Sequence, residues 1–274
     1  MTEEHPGTVL RRLEQRARRR FGQHFLWRED VVERIVLGAH VEPGDKVLEV
    51  GPGLGILTRA LLRAGADLTA VELDRDLAAW LRESLPDLRL VEADATRIDL
   101  AEVCPGGGWK VVANLPYNVG TGLVADWVRH PDTFTSLTVM LQKEVVERLV
   151  AVPGTKAYGA LTLQVRMWAE PRFVVLVPPS AFHPRPKVQS AVVRLELRET
   201  PACGPGGPET FERVVRAAFA HRRKTLLNSL SSAFDRKVVV EALEAAGIDP
   251  NLRAERLDAE AFQRLGGALA GHSA

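Results

Sequence analysis

The stretch Lys46-Val-Leu-Glu-Val-Gly-Pro-Gly-Leu-Gly55 joins an apolar strand pattern to a helical pattern through a turn with three glycines. Glycine lets the backbone approach a ligand closely, and the N-terminus of the following helix favours an anionic group. The turn departs from the G-x-G-x-x-G pattern of dinucleotide-binding folds, because Ile56 occupies the place of the last glycine. The acidic Glu49 would also disfavour a pyrophosphate. The turn is compatible with a nucleotide site but does not by itself establish one.

Strand and helix patterns alternate along residues 46–113. Such alternation predicts an α/β fold in which a mostly parallel sheet carries helices on both faces. In sheets of this kind, ligands bind at the carboxyl ends of the strands. The predicted strands are Lys46–Val50, Leu68–Glu72, Arg89–Glu92, Lys110–Ala113, Ser136–Leu141, Phe173–Val177 and Ser190–Leu197, and the predicted helices between the first of them are Leu54–Ala64 and Arg75–Leu85.

A segment dense in proline and glycine, Glu199–Pro208, indicates a linker between two domains. Beyond it the apolar spacing is helical only, so we predict a small all-helical C-terminal domain. The predicted boundaries are 1–198 for the α/β domain with its basic N-terminal arm, 199–210 for the linker and 211–274 for the helical domain. Its predicted helices are Phe211–Phe219, Arg222–Ala233, Lys237–Ala246 and Ala259–Ala270.

Two acidic residues end the strands that follow the glycine turn. Glu72 comes 21 residues after Gly51, where a carboxylate can accept hydrogen bonds from both hydroxyls of a ribose. Asp94 ends the next strand and is placed to receive an adenine amino group. Either residue alone would ordinarily be a surface carboxylate at a strand end. Together with the glycine turn they favour one nucleoside-binding site.

The segment Asn114-Leu-Pro-Tyr117 follows a short apolar run, Val111 to Ala113, that is typical of a buried strand. It offers a side-chain carbonyl, a backbone carbonyl and an aromatic ring at one point. The two acceptors can bind both N–H groups of an exocyclic amine on a base, and the ring can stack on the base. An amine held in this way has a freer lone pair and can attack an electrophilic methyl group. For the tetrapeptide alone, a plain strand–turn remains the alternative.

In their order along the chain, these motifs resemble the class I S-adenosylmethionine-dependent methyltransferases, and in particular the branch that acts on adenine N6. Three further segments are similar to those of the ribosomal RNA adenine dimethyltransferase family. The resemblance covers residues 20–230, and it looks most like the KsgA-type enzymes, which dimethylate two adjacent adenines near the 3′ end of small-subunit rRNA. The segments are Phe21-Gly-Gln-His-Phe-Leu26, Leu141-Gln-Lys-Glu-Val-Val-Glu-Arg148 and Phe182-His-Pro-Arg-Pro-Lys-Val-Gln-Ser190.

The resemblance implies that S-adenosyl-L-methionine is the cofactor and that a defined set of residues binds it. Glu72 would bind the ribose, Asp94 the adenine, and Asn114 would lie between cofactor and substrate. His24 stands where the family usually has Asn, and both side chains can form hydrogen bonds. The implied cofactor-binding residues are Gln23, His24, Leu26, Glu49, Gly51, Gly53, Glu72, Asp94 and Asn114.

The same resemblance implies direct transfer of the sulfonium methyl group to adenine N6. Asn114 Oδ1 and the carbonyl of Leu115 or Pro116 would accept the N6 hydrogens. Tyr117 and Phe182 would hold the extruded base between their rings, with Phe182 at the rim of the pocket. Because methylation makes the amine acidic, solvent can take the proton, and we expect no strong general base.

The net charge of +1 conceals an uneven distribution. Residues 29–110 carry 9 basic and 16 acidic side chains, residues 1–28 carry 7 and 3, and residues 211–236 carry 6 and 2. Basic flanks around an acidic middle favour a polyanionic partner, although a solvated helix face is the alternative for any single run. The residues expected to contact RNA phosphates are Arg18, Arg19, Arg20, Arg185, Lys187, Arg222, Arg223 and Lys224.

Composition narrows the class of protein. Two distant cysteines, Cys104 and Cys203, form neither a metal-site pattern nor a disulfide framework, so we expect no metal. The N-terminus is charged and lacks the apolar run of a signal peptide, and no apolar run approaches the length of a membrane span. We expect a monomeric cytoplasmic protein, without a membrane partner, that acts on 16S-type rRNA in the small ribosomal subunit or its precursor.

Other functions remain open from the sequence. A related enzyme that methylates one adenine of large-subunit rRNA and confers antibiotic resistance shares nearly all the cofactor motifs, although Asn-Leu-Pro-Tyr and the helical tail favour the small-subunit enzyme. A non-catalytic ribosome assembly factor would use the same basic flanks. A DNA adenine methyltransferase usually carries Asp at the first position of the tetrapeptide. A nicotinamide oxidoreductase is opposed by Ile56 and by the Asn114 motif.

Overall fold

The computed structural model of the chain describes residues 6–12, 24–221 and 223–272. These residues form two compact units. The first unit comprises the described residues of Met1–Val146 together with Pro171–Leu197, and the second comprises Glu147–Glu170 and the described residues of Arg198–Ala274.

The helices and strands have the following bounds. The strands are β1 (Phe25–Leu26), β2 (Lys46–Val50), β3 (Asp67–Glu72), β4 (Arg89–Glu92), β5 (Trp109–Asn114), β6 (Phe134–Gln142), β7 (Ala169–Val177), β8 (Phe182–His183) and β9 (Ser190–Leu197). The helices are α1 (Pro6–Arg12), α2 (Glu29–Ala39), α3 (Ile56–Arg63), α4 (Arg75–Ser84), α5 (Leu100–Val103), α6 (Gly120–Trp127), α7 (Lys143–Val150), α8 (Ala160–Trp168), α9 (Gly207–Phe219), α10 (Leu226–Leu230), α11 (Arg236–Ala245) and α12 (Ala259–Ala268). None of the helices in the described ranges is long and apolar enough to cross a membrane.

Seven strands form one sheet in the order β4-β3-β2-β5-β6-β9-β7. The pairs β3–β4, β2–β3, β2–β5 and β5–β6 are parallel, and β9 runs antiparallel to β6. Strands β1 and β8 pair with each other in a separate antiparallel ladder. The predicted mostly parallel sheet is therefore confirmed, and β2, β4 and β9 have the predicted bounds.

Strand β2 carries buried apolar side chains on both faces of the sheet, with Glu49 as its buried carboxyl group. Val47 packs in one buried cluster with Ile35 of α2 and Leu61 of α3. Leu48 is also fully buried, and it faces the opposite side of the sheet because successive side chains of a strand alternate. A continuous apolar run is typical of a strand of this kind, and it explains why β2 could be predicted from sequence.

Aspartate side chains determine where four of the described helices begin. Asp74, Asp99, Asp235 and Asp258 precede α4, α5, α11 and α12, and each accepts a hydrogen bond from a backbone N–H in the first turn. Such N-caps satisfy donors that the helix itself leaves unpaired. For the active site, the important cap is Asp74, because it starts α4 immediately after the end of β3.

The second unit has an apolar core of its own. Leu163, Phe211 and Phe262 are buried together in it. The predicted domain boundary after residue 198 lies one residue from the end of the first unit. The structure corrects the predicted assignment of 147–170 to the α/β domain, because this segment contributes α8 to the second core.

Tyr158 illustrates why this segment belongs to the second unit. Its ring is 2% exposed, and its hydroxyl donates to the backbone carbonyl of Leu257 at 2.9 Å. Burial raises the pKa of Tyr158 to about 12, so the hydroxyl stays protonated as a donor. A contact across this sequence distance has no local signal, and the sequence pattern therefore could not show it.

The predicted linker at 199–210 is an ordered part of the second unit. Cys203 is buried in its core, and the N–H of Ala202 donates to the carbonyl of Met167 at 2.7 Å. Helix α9 already begins at Gly207. The proline and glycine residues correctly predict irregular backbone in this segment. That backbone is packed against the core of the second unit and does not form a loose linker.

We expect Tyr158→Phe to lower the free energy of unfolding by about 1–3 kcal/mol, because the carbonyl of Leu257 loses its buried donor. Urea denaturation followed by circular dichroism measures the change. Thr155→Ala, in the exposed turn nearby, is the control and should alter stability by less than about 0.5 kcal/mol. Equal stability of Tyr158→Phe and wild type would contradict the placement of this segment in the second core.

Candidate active site

The chain encloses a cavity of about 260 Å³ at the edge of the sheet where β2, β3, β4 and β5 end. Parallel neighbours bring their carboxyl ends to one edge, so residues distant in sequence meet there. Gln23 lies outside the described residues. The predicted site residues that line the cavity are His24, Leu26, Glu49, Gly51, Gly53, Glu72, Asp94, Asn114, Leu115, Pro116 and Tyr117.

Glu72 ties the glycine turn to the end of β3. Its Oε2 accepts the N–H of Gly53 at 3.1 Å, and its Oε1 accepts the N–H of Asp74 at 2.9 Å. Gly51 and Gly53 have φ values of 67° and 60°, and a Cβ on Gly53 would lie 3.1 Å from the ring of Phe25. Burial raises the pKa of Glu72. Each of its oxygens keeps a further lone pair that can accept a ligand hydroxyl.

Glu49 in β2 is a buried carboxyl group at the wall of the cavity. It is 1% exposed, and within the described part of the chain its Oε2 has no hydrogen-bond partner. Burial raises the pKa of Glu49 to about 8, and the nearby charge of Glu72 acts in the same direction. An unpaired buried acceptor is costly. A cationic hydrogen-bond donor on a ligand would remove that cost.

Asp94 follows β4 and is held as an acceptor by Thr96. Its Oδ1 receives the backbone N–H of Thr96 at 2.9 Å and the Thr96 hydroxyl at 2.7 Å. These hydrogen bonds lower the pKa of Asp94. The carboxylate therefore stays ionised at neutral pH and can accept a hydrogen bond from an amino group on a ligand.

Asn114 ends β5, and its amide group has a fixed direction. Its Nδ2 donates to the backbone carbonyl of His24 at 3.3 Å. Because the N–H₂ end is used there, Oδ1 is the end that remains for a ligand in the cavity. Oδ1 can only accept, which is the property that recognition of an exocyclic amine requires.

Of the two carbonyls predicted as a second acceptor, that of Pro116 is already hydrogen-bonded, which favours the carbonyl of Leu115. The carbonyl of Pro116 already accepts the N–H groups of Val119 at 3.2 Å and Gly120 at 2.8 Å, where α6 begins. Both of its lone pairs are thereby used. Leu115 lines the same cavity beside Asn114, so its carbonyl is the acceptor that fits.

Tyr117 contributes the aromatic surface at the cavity. Its hydroxyl is hydrogen-bonded to the side chain of Ser190, the first residue of β9. Its ring lies beside the imidazole of His24, with ring centroids 5.6 Å apart and planes inclined by 32°. Burial raises the pKa of Tyr117, which keeps the hydroxyl neutral.

Phe182 does not lie at the rim of the cavity, and this prediction is wrong. The residue belongs to β8, pairs with Leu26 and is 2% exposed within the apolar cluster of the first unit. The Phe182 ring is used for packing because the β1–β8 ladder turns it into the core. Among the described residues, the aromatic rings that line the cavity are those of His24, Phe25 and Tyr117.

Four of the predicted RNA-contacting residues lie within the described ranges, in two exposed segments. Arg185 and Lys187 are exposed on the loop between β8 and β9. Arg223 and Lys224 are exposed in the turn before α10, which is much shorter than the predicted helix Arg222–Ala233. Arg18, Arg19, Arg20 and Arg222 lie outside the described residues.

Sequence reasoning missed the residues that orient the predicted ones. Thr96 holds Asp94, the carbonyl of Pro184 accepts from His24 Nδ1 at 2.8 Å, and Ser190 holds Tyr117. Ser190 had a usable signal, because it ends the segment that begins at Phe182. Its partner could not be read from the sequence, since 73 residues separate Ser190 from Tyr117.

A model of the family described as ribosomal RNA adenine dimethylase matches residues 14–270. The chain belongs to this family. Among curated relatives, the ribosomal RNA small subunit methyltransferase A of Magnetococcus marinus is 45% identical over 95% of this chain and 96% of its own. The protein of the same name from Pseudomonas aeruginosa is 43% identical over 93% and 95%.

Two solved structures share the fold. A dimethyladenosine transferase from Plasmodium falciparum has a TM-score of 0.76 and 25% identity, covering 88% of this chain and 96% of its own. The 23S rRNA methyltransferase ErmE has a TM-score of 0.71 and 31% identity, covering 89% and 99%. The protein therefore has the class I methyltransferase fold and is an S-adenosylmethionine-dependent enzyme.

The cavity fits that cofactor chemically. The unpaired Oε2 of Glu49 suits an amino-acid ammonium group, and the carboxylate of Glu72 suits the two ribose hydroxyls. The carboxylate of Asp94 suits the adenine amino group. Gly51 and Gly53 leave room where a side chain would intrude. Three donor groups of the cofactor, the ammonium, the ribose hydroxyls and the adenine amino group, thus have complementary acceptors in the cavity.

We expect cofactor binding to depend on pH through Glu49. The pKa of about 8 leaves Glu49 mostly protonated at pH 7, whereas an ammonium group binds the carboxylate form. Binding therefore releases a proton, and the affinity for S-adenosylhomocysteine should rise by up to about tenfold per pH unit between pH 6 and 8. Calorimetry in buffers of different ionisation enthalpy counts the protons released.

Glu49→Gln is the matched control for this pH dependence. It should bind S-adenosylhomocysteine more weakly and with a flatter dependence on pH, since the titrating group is gone. An unchanged slope in Glu49→Gln would contradict the role given to Glu49.

Proposed function

We propose that this enzyme transfers methyl groups from S-adenosylmethionine to N6 of adenines in small-subunit rRNA. The targets would be two adjacent adenines near the 3′ end, each dimethylated. The observation that carries the proposal is the pair of acceptors at the end of β5, Asn114 Oδ1 and the Leu115 carbonyl, beside a nucleoside-binding cavity. The names of relatives at 39–45% identity support small-subunit rRNA as the substrate.

In this proposal the cofactor, when bound, supplies an electrophilic methyl group. Asn114 Oδ1 and the carbonyl of Leu115 each accept one N6 hydrogen of adenine. This holds the nitrogen with its lone pair directed to the methyl group, and alignment of this kind contributes most of the rate enhancement. Solvent takes the proton released by the methylated amine, so the chain needs no strong general base.

Tyr117 would stack on the target base after the base leaves its helical stack. A base stacked on an aromatic side chain gains about 1–3 kcal/mol. Arg185 and Lys187 would contact phosphates next to the target, and Arg223 and Lys224 would contact phosphates elsewhere on the RNA. Such contacts position the RNA without reading its sequence. Arg18, Arg19, Arg20 and Arg222 are proposed as further basic contacts.

The partner we propose is 16S-type rRNA in the small ribosomal subunit or its precursor, with the enzyme acting as a monomer. A ribosomal substrate would place the enzyme in the cytoplasm, and methylation late in assembly would link it to subunit biogenesis. The charge pattern supports a polyanionic partner, because basic segments flank the acidic nucleoside-binding region.

Methyl transfer to separated ribosomal particles tests the substrate. We expect label from S-adenosylmethionine to enter 30S particles that lack the modification, with N6,N6-dimethyladenosine as the product in nucleoside mass spectrometry. Label in 50S particles would instead identify large-subunit rRNA as the substrate, as in the 23S rRNA methyltransferase ErmE. Cofactor binding without transfer to either particle would favour a non-catalytic role in assembly.

Asn114→Ala tests the chemistry at the same site. It should lower the transfer rate by at least about a hundredfold, because an acceptor of the amine hydrogens is lost together with its alignment. Asn251→Ala, in an exposed turn of the second unit, is the control and should transfer at the wild-type rate. Unchanged melting temperatures would show that both variants are folded. Near-normal turnover by Asn114→Ala would refute its role.

A further inference from the structure

The ring of Tyr117 is restrained at two points, by Ser190, which does not line the cavity, and by His24, which does. Its hydroxyl is hydrogen-bonded to Ser190 Oγ, and one side of the ring lies against the imidazole of His24. The centroid separation of 5.6 Å is that of two rings in direct contact. A base therefore cannot lie between the two rings.

Ser190 is a rigid anchor for the tyrosine hydroxyl. It is fully buried, and it pairs with Gln142 in the antiparallel ladder between β6 and β9. Immediately beyond that pair, the N–H of Lys143 donates to the carbonyl of Gln189 at 3.0 Å. The position of Ser190 Oγ is thus determined by the sheet and not by a mobile surface loop.

His24 is positioned by two hydrogen bonds, one at its imidazole and one at its backbone carbonyl. Its Nδ1 donates to the carbonyl of Pro184 at 2.8 Å, and its own backbone carbonyl accepts the amide of Asn114 at 3.3 Å. His24 therefore connects the Asn114 segment, through its backbone carbonyl, with the loop that carries Arg185 and Lys187, through its imidazole. A shift of His24 would disturb both the acceptor pair and the support of Tyr117.

A preformed stacking surface has an energetic advantage. A tyrosine side chain that is free to rotate must lose that freedom when the base stacks on it, and the loss reduces the gain from stacking. A ring that is hydrogen-bonded at its hydroxyl and in contact with the imidazole of His24 loses little. The base is then received at the one orientation that places N6 beside Asn114 and Leu115.

We propose that Ser190 and His24 are positioning residues that hold Tyr117 as a fixed stacking platform for the target adenine. This inference rests on the proposed function, since Tyr117 is the surface on which the base stacks. Ser190 acts on the rate through the tyrosine hydroxyl alone, and His24 acts through the ring. Neither touches the reacting atoms.

A double-mutant cycle tests the role of Ser190, with 30S particles lacking the modification as substrate. We expect Ser190→Ala and Tyr117→Phe each to lower kcat about tenfold, the factor expected for one hydrogen bond of ordinary strength. The double variant should be no slower than either single variant, because both changes break the same bond. Affinity for S-adenosylhomocysteine, measured by calorimetry, should stay within about twofold of wild type in all three.

The outcomes separate this inference from the proposed function. Wild-type protein that fails to methylate 30S particles refutes the function. Wild-type activity together with wild-type kcat in Ser190→Ala or Tyr117→Phe overturns the platform. Additive losses in the double variant also overturn it, since Ser190 would then act independently of Tyr117. Tyr117→Phe keeps Ser190 in place, so it decides the question even where Ser190→Ala is unstable.

Two substitutions test the ring contact at His24. His24→Phe keeps an aromatic ring against Tyr117 but cannot donate to the Pro184 carbonyl. His24→Asn keeps a side-chain donor but removes the ring. Support through the ring predicts that kcat falls less in His24→Phe than in His24→Asn. Calorimetry with S-adenosylhomocysteine measures separately how much either change weakens cofactor binding. The reverse order would overturn the role of the ring.

Discussion

The buried carboxylate of Glu72 is the constraint on which the rest of the site depends. It accepts one backbone N–H from the glycine turn after β2 and one from the start of the segment after β3. The ends of two neighbouring parallel strands are thereby locked to each other, and the turn keeps the open conformation that only glycine adopts without strain. Asp94 and Asn114 reach the same edge because β4 and β5 continue the parallel order.

The second half of the site is organised around Asn114. Its N–H₂ group donates to the carbonyl of His24, which leaves Oδ1 for a ligand in the cavity. The neighbouring carbonyl of Pro116 accepts two N–H groups at the start of α6, so the second acceptor that we propose is the carbonyl of Leu115. Under the proposed function these two adjacent acceptors bind the amino group of adenine, which would distinguish the site from a general nucleotide pocket.

Local sequence signals were sufficient for the sheet and for the residues at its edge. Strand β2 can be recognised from its apolar residues. The other features lie where a strand ends, and each strand end can be recognised from neighbouring residues; they are the glycine turn, Glu72, Asp94 and Asn114. The errors concern contacts between distant segments. Phe182 lies in the core because β8 pairs with β1, and Tyr158 packs in the second core, where its hydroxyl donates to the carbonyl of Leu257. Neither β1 nor Leu257 affects the sequence pattern around the residue that it contacts.

The central claim is that Asn114 Oδ1 and the Leu115 carbonyl together bind adenine N6. The most direct measurement is an electron cryomicroscopy structure of the protein on 30S particles that lack the modification, with S-adenosylhomocysteine bound. We predict N6 of the target adenine within about 2.7–3.2 Å of both oxygens, with Tyr117 stacked on the base. An extruded adenine whose N6 lies away from Asn114, or an Asn114 amide rotated so that Nδ2 faces the base, would contradict the account.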